Sequence, residues 1–413
     1  MMIALYSFAM WALQPFVRRK LKRRAVVEPL YGEFMGERFG QYPQFEPGST
    51  LVWIHAVSLG ETRAAAILLK ELRLAIPNMR LLLTNGTATG REEGSKLLQA
   101  GDVQVWQPWD TQAATSAFML HFKPAIGILM ETELWPNLIA SASRAQIPVL
   151  LANARLSEKS FKKSQRWFSK KLARLAYQSL TAVYAQTSDD ADRLGKLGAT
   201  VTAVLGNLKF DHAPSADQLM QAEATRSTLA KPVVVFASSR EGEEQAFLAS
   251  LKTFPEAARG KVHWLIVPRH PQRFDAVADL ITNAGFAVSR RHGWIDDSIW
   301  LGDSLGEMAF YYGLSCAALL GGSFERLGGQ NLIEALACGC PVVMGPHTFN
   351  FEEAAALAAI SHVAFRVDSF TSAIQQALAL GTTDGFDKAT AYDFVAKHRG
   401  AATKTAQAIV SLI

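Results

Sequence analysis

The sequence predicts an α/β protein of two domains, each with a parallel, doubly wound β-sheet, and three observations support this. First, short apolar segments alternate with helical patterns through both halves of the chain. Second, glycines and polar residues repeatedly follow the apolar segments, at the edge where open parallel sheets bind ligands. Third, 413 residues with 49% hydrophobic content can fill two cores.

Seven strands are predicted in each half of the chain. In the first half they cover 51–57, 80–84, 103–107, 125–130, 148–152, 182–185 and 201–204, with helical patterns such as 62–74, 111–121 and 161–178 between them. In the second half they cover 233–237, 262–267, 286–289, 299–301, 317–320, 341–344 and 363–367.

A polar stretch over 206–232 interrupts this pattern and marks a domain boundary. We place an N-terminal segment at 1–24 and the two domains at 25–212 and 213–413. The final helical stretch is expected to pack back across the domains. Because parallel sheets bind ligands beyond the carboxyl ends of their strands, the expected site is the cleft between the domains.

The N-terminal segment differs in composition from the rest of the chain. Residues 1–17 carry no charged side chain, and the run RRKLKRR follows over 18–24. Such an apolar run is at the lower limit for crossing a bilayer, and the basic run favours the cytoplasmic side and anionic head groups. We therefore expect a membrane anchor helix that spans the bilayer or lies in its interface, with the remaining chain in the cytosol.

Two other readings of this segment fit less well. A secretory signal would begin with a basic region and end in a small-residue cleavage site, and neither is clear here. A buried core helix conflicts with Pro15 and with the basic run. If the chain bound membranes without residues 1–24, a second surface would be needed, for which Phe34, Met35 and Phe39 are candidates.

The overall charge excludes some classes of function. The formal net charge is +5, but six of the 42 Lys and Arg residues lie within 18–24, which leaves 36 against 37 acids elsewhere. A nucleic-acid-binding body is therefore not indicated. The cysteines, Cys316, Cys338 and Cys340, are too few for a disulfide framework and lack partner ligands for zinc, so a reducing compartment fits best.

The glycine-rich stretch over 319–353 is the clearest ligand-binding signal. A predicted strand breaks at Gly321-Gly322, a second glycine pair precedes Asn331, and a helix then begins. Glycines let a backbone approach a ligand closely, and free N–H groups at a helix start attract phosphate. We interpret the stretch as a nucleotide-sugar pocket. The alternative is that Asn331 and Glu334 only cap the helix.

Acidic residues follow two strands of the first half. Glu61 follows the first strand, and Glu131 and Glu133 follow the fourth, so all three are expected at the same sheet edge. The alternative for Glu61 is a carboxylate that favours a helix N-terminus. The alternative for Glu131 or Glu133 is an internal ion pair with Arg155 or Lys209.

In the second half, Arg269 follows a predicted strand and suits a phosphate or carboxylate, because guanidinium pairs with both in a bidentate manner. The segment over 303–307 offers groups to a base or ribose. A metal site is not indicated, because Asp189-Asp190 and Asp296-Asp297 lie in polar helix-start or turn contexts, not as a D-x-D after a strand, and no paired His/Cys spacing occurs. Ser58 does not lie in a G-x-S-x-G nucleophile elbow, so acyl hydrolysis is not indicated either. We expect catalysis without a metal.

Eight segments together resemble the lipid A Kdo transferase family, the 3-deoxy-D-manno-octulosonic acid (Kdo) transferases of the Gram-negative inner membrane. They are SLGET, METELWPNLI, NARLS, GNLKFD, EGEE, VPRHPQRF, GGQN and MGPHTFNF. The resemblance runs from the N-terminal segment to about Phe351. It implies a glycosyltransferase-B fold, with two Rossmann-like domains facing a cleft. It also implies transfer of Kdo from CMP-Kdo to a lipid A precursor, lipid IV-A, in lipopolysaccharide core biosynthesis.

The resemblance also implies roles for individual residues. Glu61 is similar to the family's proton acceptor, and Glu131 and Lys209 are similar to its transition-state stabilisers. The implied CMP contacts are Pro268, Arg269, Leu305, Gly306, Glu307, Asn331, Leu332, Ile333 and Glu334. No cofactor is expected beyond the donor substrate. The implied partners are CMP-Kdo, the lipid A precursor and inner-membrane lipid, with the catalytic domains on the cytoplasmic side.

Two positions depart from the family pattern, which commonly has histidine where this chain has Arg240 and Gln330. Three other functions are also considered for this chain. One is another membrane-associated glycosyltransferase, which competition by CMP against UDP would separate. Another is a nucleotide-sugar epimerase of the same fold, which needs neither a lipid acceptor nor an anchor. The last is a silent lipid-binding scaffold, which needs no acids at the strand ends.

Overall fold

The computed structural model describes residues 2–46, 48–165, 167–296, 298–382 and 386–413. Three predicted features each include one residue outside these ranges. They are Met1 in the N-terminal segment, Arg166 in the helical pattern over 161–178, and Asp297 in the Asp296-Asp297 pair.

The chain forms two compact units. The first comprises Met1–Asp211 together with Arg399–Ile413, and the second comprises His212–His398. The C-terminal residues therefore belong to the first unit, although they follow the second in the sequence.

The first unit contains a seven-stranded parallel sheet. Its strands are β1 (Leu51–His55), β2 (Arg80–Asn85), β3 (Val103–Trp106), β4 (Ile126–Met130), β5 (Val149–Ala154), β6 (Ala182–Ala185) and β7 (Ala203–Val204), in the order β3-β2-β1-β4-β5-β6-β7. Its helices, in chain order, are α1 (Met2–Ala12), α2 (Gln14–Ala25), α3 (Leu59–Ala75), α4 (Ala88–Ser95), α5 (Gln112–Phe122), α6 (Pro136–Arg144), α7 (Glu158–Ser164), α8 (Trp167–Gln178) and α9 (Ser188–Lys196). Short 3-10 helices lie at Pro29–Gly32, Met35–Phe39 and Leu208–Asp211.

The second unit repeats this architecture. Its strands are β8 (Val233–Ser239), β9 (His263–Pro268), β10 (Val288–Arg290), β11 (Ile299–Leu301), β12 (Ser315–Leu320), β13 (Val342–Met344) and β14 (Ala364–Arg366), in the order β10-β11-β9-β8-β12-β13-β14. Its helices are α10 (Ala216–Arg226), α11 (Glu243–Lys252), α12 (Glu256–Arg259), α13 (Phe274–Asn283), α14 (Met308–Leu314), α15 (Leu332–Ala337), α16 (Glu352–Ile360), α17 (Phe370–Thr382) and α18 (Lys388–His398). Another 3-10 helix lies at Pro271–Arg273, and α19 (Ala401–Val410) returns to the first unit.

All strand pairs in both sheets are parallel, which confirms the predicted α/β class. Strands β1, β4 and β5 are buried along their whole length, as sheets covered on both faces require. Helices α3, α4, α5, α7 and α9 each begin at a Ser or Thr whose side chain accepts a backbone N–H three residues on. These caps place the helix starts just after the strands, where the polar residues gather.

Helices α1 and α2 contact other parts of the first unit. The Tyr6 hydroxyl donates to Asp110 at 2.7 Å, and the Trp109 indole donates to the carbonyl of Met10 at 2.8 Å. Leu21 packs in a small cluster with Tyr31. The sequence predicts a membrane anchor in this segment, but in the described ranges no helix is both long and apolar enough to cross a membrane.

Candidate active site

Glu61 lies at the start of α3, at the carboxyl edge of the first sheet. Ser58 caps this helix, and its hydroxyl donates to Glu61 Oε1 at 2.9 Å. The backbone N–H of Val57 donates to Glu61 Oε2 at 2.7 Å. The carboxylate is therefore held at a fixed place by two donors. The contact with Ser58 also belongs to a capping arrangement, so Glu61 takes part in the helix cap as well.

The surroundings of Glu61 favour its protonated form. Burial raises the pKa of Glu61 from 4.5 to about 6, and the charges of Glu133 and Glu131 add to the rise, whereas the hydrogen bonds from Val57 and Ser58 oppose it. A carboxylate with a pKa near 6 is mostly ionised at neutral pH yet is more basic than an exposed one. This group can therefore accept a proton from a hydroxyl.

Glu131 follows β4 with a backbone φ of +56°, an uncommon conformation for a residue with a side chain. Its carboxylate is buried and forms two ion pairs, with Lys209 Nζ at 2.8 Å and with Arg155 Nε at 3.2 Å. The predicted pair of Glu131 and Lys209 thus does meet. The alternative interpretation, in which Glu131 only forms an internal ion pair, predicts the same contacts.

Glu133 and His55 complete this edge. The indole of Trp135 donates to Glu133 Oε2 at 2.6 Å, and His55 Nε2 lies 3.8 Å from the same oxygen. His55 is fully buried at the end of β1, and its Nδ1 lies 2.8 Å from the hydroxyl of Thr84. Sequence reasoning does not single out His55, because a histidine inside an apolar strand gives no signal of its partners.

In the second unit, Pro268 ends β9 and Arg269 follows it. The backbone N–H of Arg269 donates to the carbonyl of Ser239, at the end of the neighbouring strand β8, at 3.0 Å. Burial lowers the pKa of His270, and the charges of Arg240, Arg269 and Arg273 lower it further. Three arginines therefore lie near His270 at this edge of the second sheet, and one of them, Arg273, is paired with Glu244.

The segment with Leu305, Gly306 and Glu307 follows β11. Glu307 receives two hydrogen bonds from Arg291, both 3.1 Å long, and another from Ser304. Although burial opposes it, these bonds hold the pKa of Glu307 below its usual value. Leu305 is 73% exposed. The carboxylate is thus fixed and charged beside an accessible backbone segment.

Asn331 caps α15, which contains Leu332, Ile333 and Glu334 in its first turn. Asn331 Oδ1 accepts the N–H of Ile333 at 3.1 Å, and its amide donates to Glu334 Oε1 at 3.0 Å. Leu332 and Ile333 are fully buried. The capping alternative is therefore present in the structure, and any ligand contact here would come from Asn331 and Glu334.

Sequence reasoning does not foresee the role of Glu243 and Glu244, which are both fully buried. Glu243 accepts the N–H groups of Gly322 at 2.7 Å and Phe324 at 3.2 Å, and so holds the loop that leads from β12 to Asn331. Glu244 receives two hydrogen bonds from Arg273. Two adjacent acids after Gly242 are a sequence signal of this role, but a weak one, because glutamates are mostly exposed.

Clustered metal ligands are absent from the described part of the chain. Among residues 2–46, 48–165, 167–296, 298–382 and 386–413, no three His, Cys, Asp or Glu side chains lie close enough together to hold a metal ion.

Comparison with known proteins adds independent information. Residues 33–212 match a family model described as 3-deoxy-D-manno-octulosonic-acid transferase (kdotransferase). A 3-deoxy-D-manno-octulosonic acid transferase of Bordetella pertussis is 40% identical over 98% of this chain and 98% of its own length. The Haemophilus influenzae protein of the same name is 31% identical over 90% of this chain and 89% of its length.

A solved structure shows the same fold. UDP-GlcNAc 2-epimerase from Neisseria meningitidis, bound to UDP-GlcNAc, is similar with a TM-score of 0.56 and 15% identity, over 88% of this chain and 99% of that one. At this identity the likeness concerns the fold alone. It supports the prediction of two parallel-sheet domains of the glycosyltransferase-B type.

Proposed function

Because the chain belongs to the 3-deoxy-D-manno-octulosonic acid transferase family, and is thus a glycosyltransferase of lipopolysaccharide core biosynthesis, we propose its substrates and mechanism. The donor is CMP-Kdo and the acceptor is a lipid A precursor, lipid IV-A. Transfer inverts the configuration at the anomeric carbon and needs neither a metal nor a further cofactor. The observation that carries this mechanism is the half-buried Glu61, whose pKa is raised to about 6 beside two other acids.

Glu61 acts as the general base. Its carboxylate takes the proton of an acceptor hydroxyl while the hydroxyl oxygen forms a bond to the anomeric carbon of Kdo. The bond from that carbon to the phosphate oxygen breaks, and CMP leaves with the electron pair. A positioned base typically contributes about a hundred- to ten-thousand-fold to such a step.

Lys209 and Glu131 stabilise charge during transfer. The ion pairs of Glu131 with Lys209 and Arg155 hold both cations at the sheet edge that carries Glu61. A fixed cation offsets developing negative charge without reorganising in the reaction. Glu131 therefore orients the cations, and Lys209 supplies the positive charge.

The second unit binds CMP. Arg269 lies near two other arginines and pairs with the phosphate, for which guanidinium geometry is well suited. The fixed carboxylates of Glu307 and Glu334 accept hydrogen bonds from the ribose and base. The accessible backbone of Leu305 and Gly306 can both donate hydrogen bonds to these groups and accept hydrogen bonds from them. Pro268 and the buried Leu332 and Ile333 shape the site from behind.

The N-terminal helices place the enzyme at the cytoplasmic face of the inner membrane. Helix α1 exposes Leu5, Phe8 and Trp11, each by more than half of its surface, and the basic run of α2 follows directly. An apolar surface beside Lys and Arg side chains is typical of a helix that lies in the lipid interface. Phe34 is also exposed, by 62% of its surface.

The experiment is a transfer assay with purified full-length protein in detergent, CMP-Kdo generated in situ, and lipid IV-A, with the products resolved by mass. We expect a product heavier by one or more Kdo residues. Glu61→Gln should abolish this product and leave CMP binding nearly unchanged. CMP binding without Kdo transfer by the unaltered protein would point to another acceptor, and tighter binding of UDP than CMP would contradict the proposed donor.

A further inference from the structure

A cavity in the first unit lies beside the candidate base and is lined by three cationic side chains. Its volume is about 250 Å³, and its lining includes Lys20, Arg24 and Arg38 but no acidic residue of the described chain. Val57, whose N–H holds Glu61, lines the cavity too. The cavity and the candidate base therefore share one wall.

Arg38 is a buried cation in this cavity. Only 9% of its surface is exposed, and its Nη2 donates to the carbonyl of Gly86 at 2.9 Å. Its guanidinium lies 4.0 Å from the ring centre of Trp106. Its Nε is buried and has no hydrogen-bond partner within the described part of the chain. A buried donor on a charged group is costly unless a ligand satisfies it.

The acid next to Arg38 directs its hydrogen bonds to other groups. Glu37 accepts from Arg91 at 2.7 Å and from the backbone N–H of Trp106 at 2.7 Å. Within residues 2–46, 48–165, 167–296, 298–382 and 386–413, no salt bridge joins Lys20, Arg24 or Arg38 to a carboxylate. Burial lowers the pKa of Arg38 to about 10, so it stays charged at neutral pH.

The other two cations are exposed, and one of them, Arg24, is held in position by Tyr31. Lys20 and Arg24 project from α2, which is fixed by the buried side chain of Leu21. The guanidinium of Arg24 lies 5.1 Å from the ring centre of Tyr31 and donates to its hydroxyl at 3.3 Å. Two of the three cations that line the cavity are thus exposed, and the third, Arg38, is buried.

We infer that this cavity binds a phosphate group carried by the acceptor, and so positions the acceptor hydroxyl at Glu61. Three cations without an acid select an anion of high charge, and guanidinium and ammonium groups both bind phosphate well. The apolar lining, with Val17, Leu21 and Phe39, suits a phosphate borne on an acylated molecule. This inference rests on the proposed function, because it takes the acceptor to be a phosphorylated lipid.

The test compares two double variants of the full chain with the same loss of charge. Lys20→Gln/Arg24→Gln removes cations that line the cavity. Arg19→Gln/Arg23→Gln removes exposed cations of the same helix that do not. All four side chains are exposed, so both proteins should fold, whereas a change at the buried Arg38 could disturb packing on Trp106.

Initial rates are measured in neutral detergent, with the phosphorylated lipid A precursor and with the same lipid after phosphatase treatment. We expect the lining variant to raise KM for the phosphorylated acceptor about tenfold or more, the usual effect of losing a charged hydrogen bond. Its kcat and its KM for the dephosphorylated lipid should change little. The control variant should match the unaltered protein with both lipids. Equal effects of the two variants, or none from the lining pair, would overturn the inference.

Two further measurements are needed. One distinguishes a phosphate of the acceptor from a phosphate of bulk lipid, and the other distinguishes failure of this inference from failure of the proposed function. Binding to phosphatidylglycerol vesicles should fall equally in both variants. A loss confined to the lining variant would assign the cavity to a bulk lipid head group instead of the acceptor. If no protein transfers Kdo, the proposed function fails. Direct binding of the two lipids to the same variants then still decides whether the cavity recognises phosphate.

Discussion

Glu243 offers a test of how the second unit holds its glycine loop. Its Oε2 accepts the N–H groups of Gly322 at 2.7 Å and Arg240 at 3.1 Å, and its Oε1 accepts those of Phe324 at 3.2 Å and Glu325 at 3.4 Å. Glu243→Gln keeps one acceptor oxygen and places an NH₂ group against the other two donors. Each buried donor left unsatisfied costs about 1–3 kcal/mol.

The loop is therefore expected to lose about 2–6 kcal/mol of local stability, and with it the position of Asn331. We predict that the dissociation constant for CMP, measured by calorimetry, rises at least about tenfold, while the fold remains intact by circular dichroism. The matched control is Glu241→Gln, because Glu241 is exposed two residues away. Unchanged CMP affinity in a folded Glu243→Gln protein would refute the reasoning.

Two other predictions concern stability. Burial raises the pKa of Glu61 from 4.5 to about 6, so the folded protein binds the proton of Glu61 more tightly than the unfolded chain does. Glu61 therefore contributes to the free energy of unfolding below pH 4.5, and this contribution is lost as the pH rises through 6. Glu61→Gln should therefore gain stability relative to the unaltered protein as the pH rises across that window, by at most about 2 kcal/mol in chemical denaturation; a constant difference between about pH 4 and 8 would contradict this. Glu131→Gln leaves Lys209 and Arg155 without their buried carboxylate and should destabilise the first unit by roughly 3 kcal/mol in the same measurement; an unchanged midpoint would argue against the ion pairs.

Much of the fold follows from local pattern. Short apolar segments that end in polar residues predict parallel strands, and each of the predicted strands corresponds to a strand of the described sheets. Element boundaries follow less directly. The predicted strand over 51–57 ends at His55, because the N–H of Val57 turns to the carboxylate of Glu61.

Long-range contacts are beyond the reach of local pattern. The sequence predicts that Glu131 or Glu133 could pair with Arg155 or Lys209, but only the structure shows that Glu131 binds both cations. The cavity with Arg38 is also missed, because its lining comes from α2, two 3-10 helices and the segments that follow the strands of the first sheet. No window of sequence contains such a site, since its parts meet only after folding.

The apolar N-terminal run predicts a single anchor helix that spans the bilayer or lies in its interface. Instead the structure has α1 and α2, with Pro15 in the first turn of α2 and with Tyr6 bonded to Asp110. Proline is tolerated at such a position because the N–H it lacks has no partner there. Hydropathy reports the apolar character of this segment but not the protein surface that holds it.

The pH dependence of kcat/KM for Kdo transfer tests the role of Glu61 most directly. The unaltered protein should show activity that rises tenfold per pH unit below about pH 6 and levels off above it, since the base must be ionised. Glu61→Gln should lose this dependence together with about a hundred- to ten-thousand-fold of the rate, while it still binds CMP. A flat profile in the unaltered protein, or an unchanged profile in Glu61→Gln, would contradict the assignment of the base.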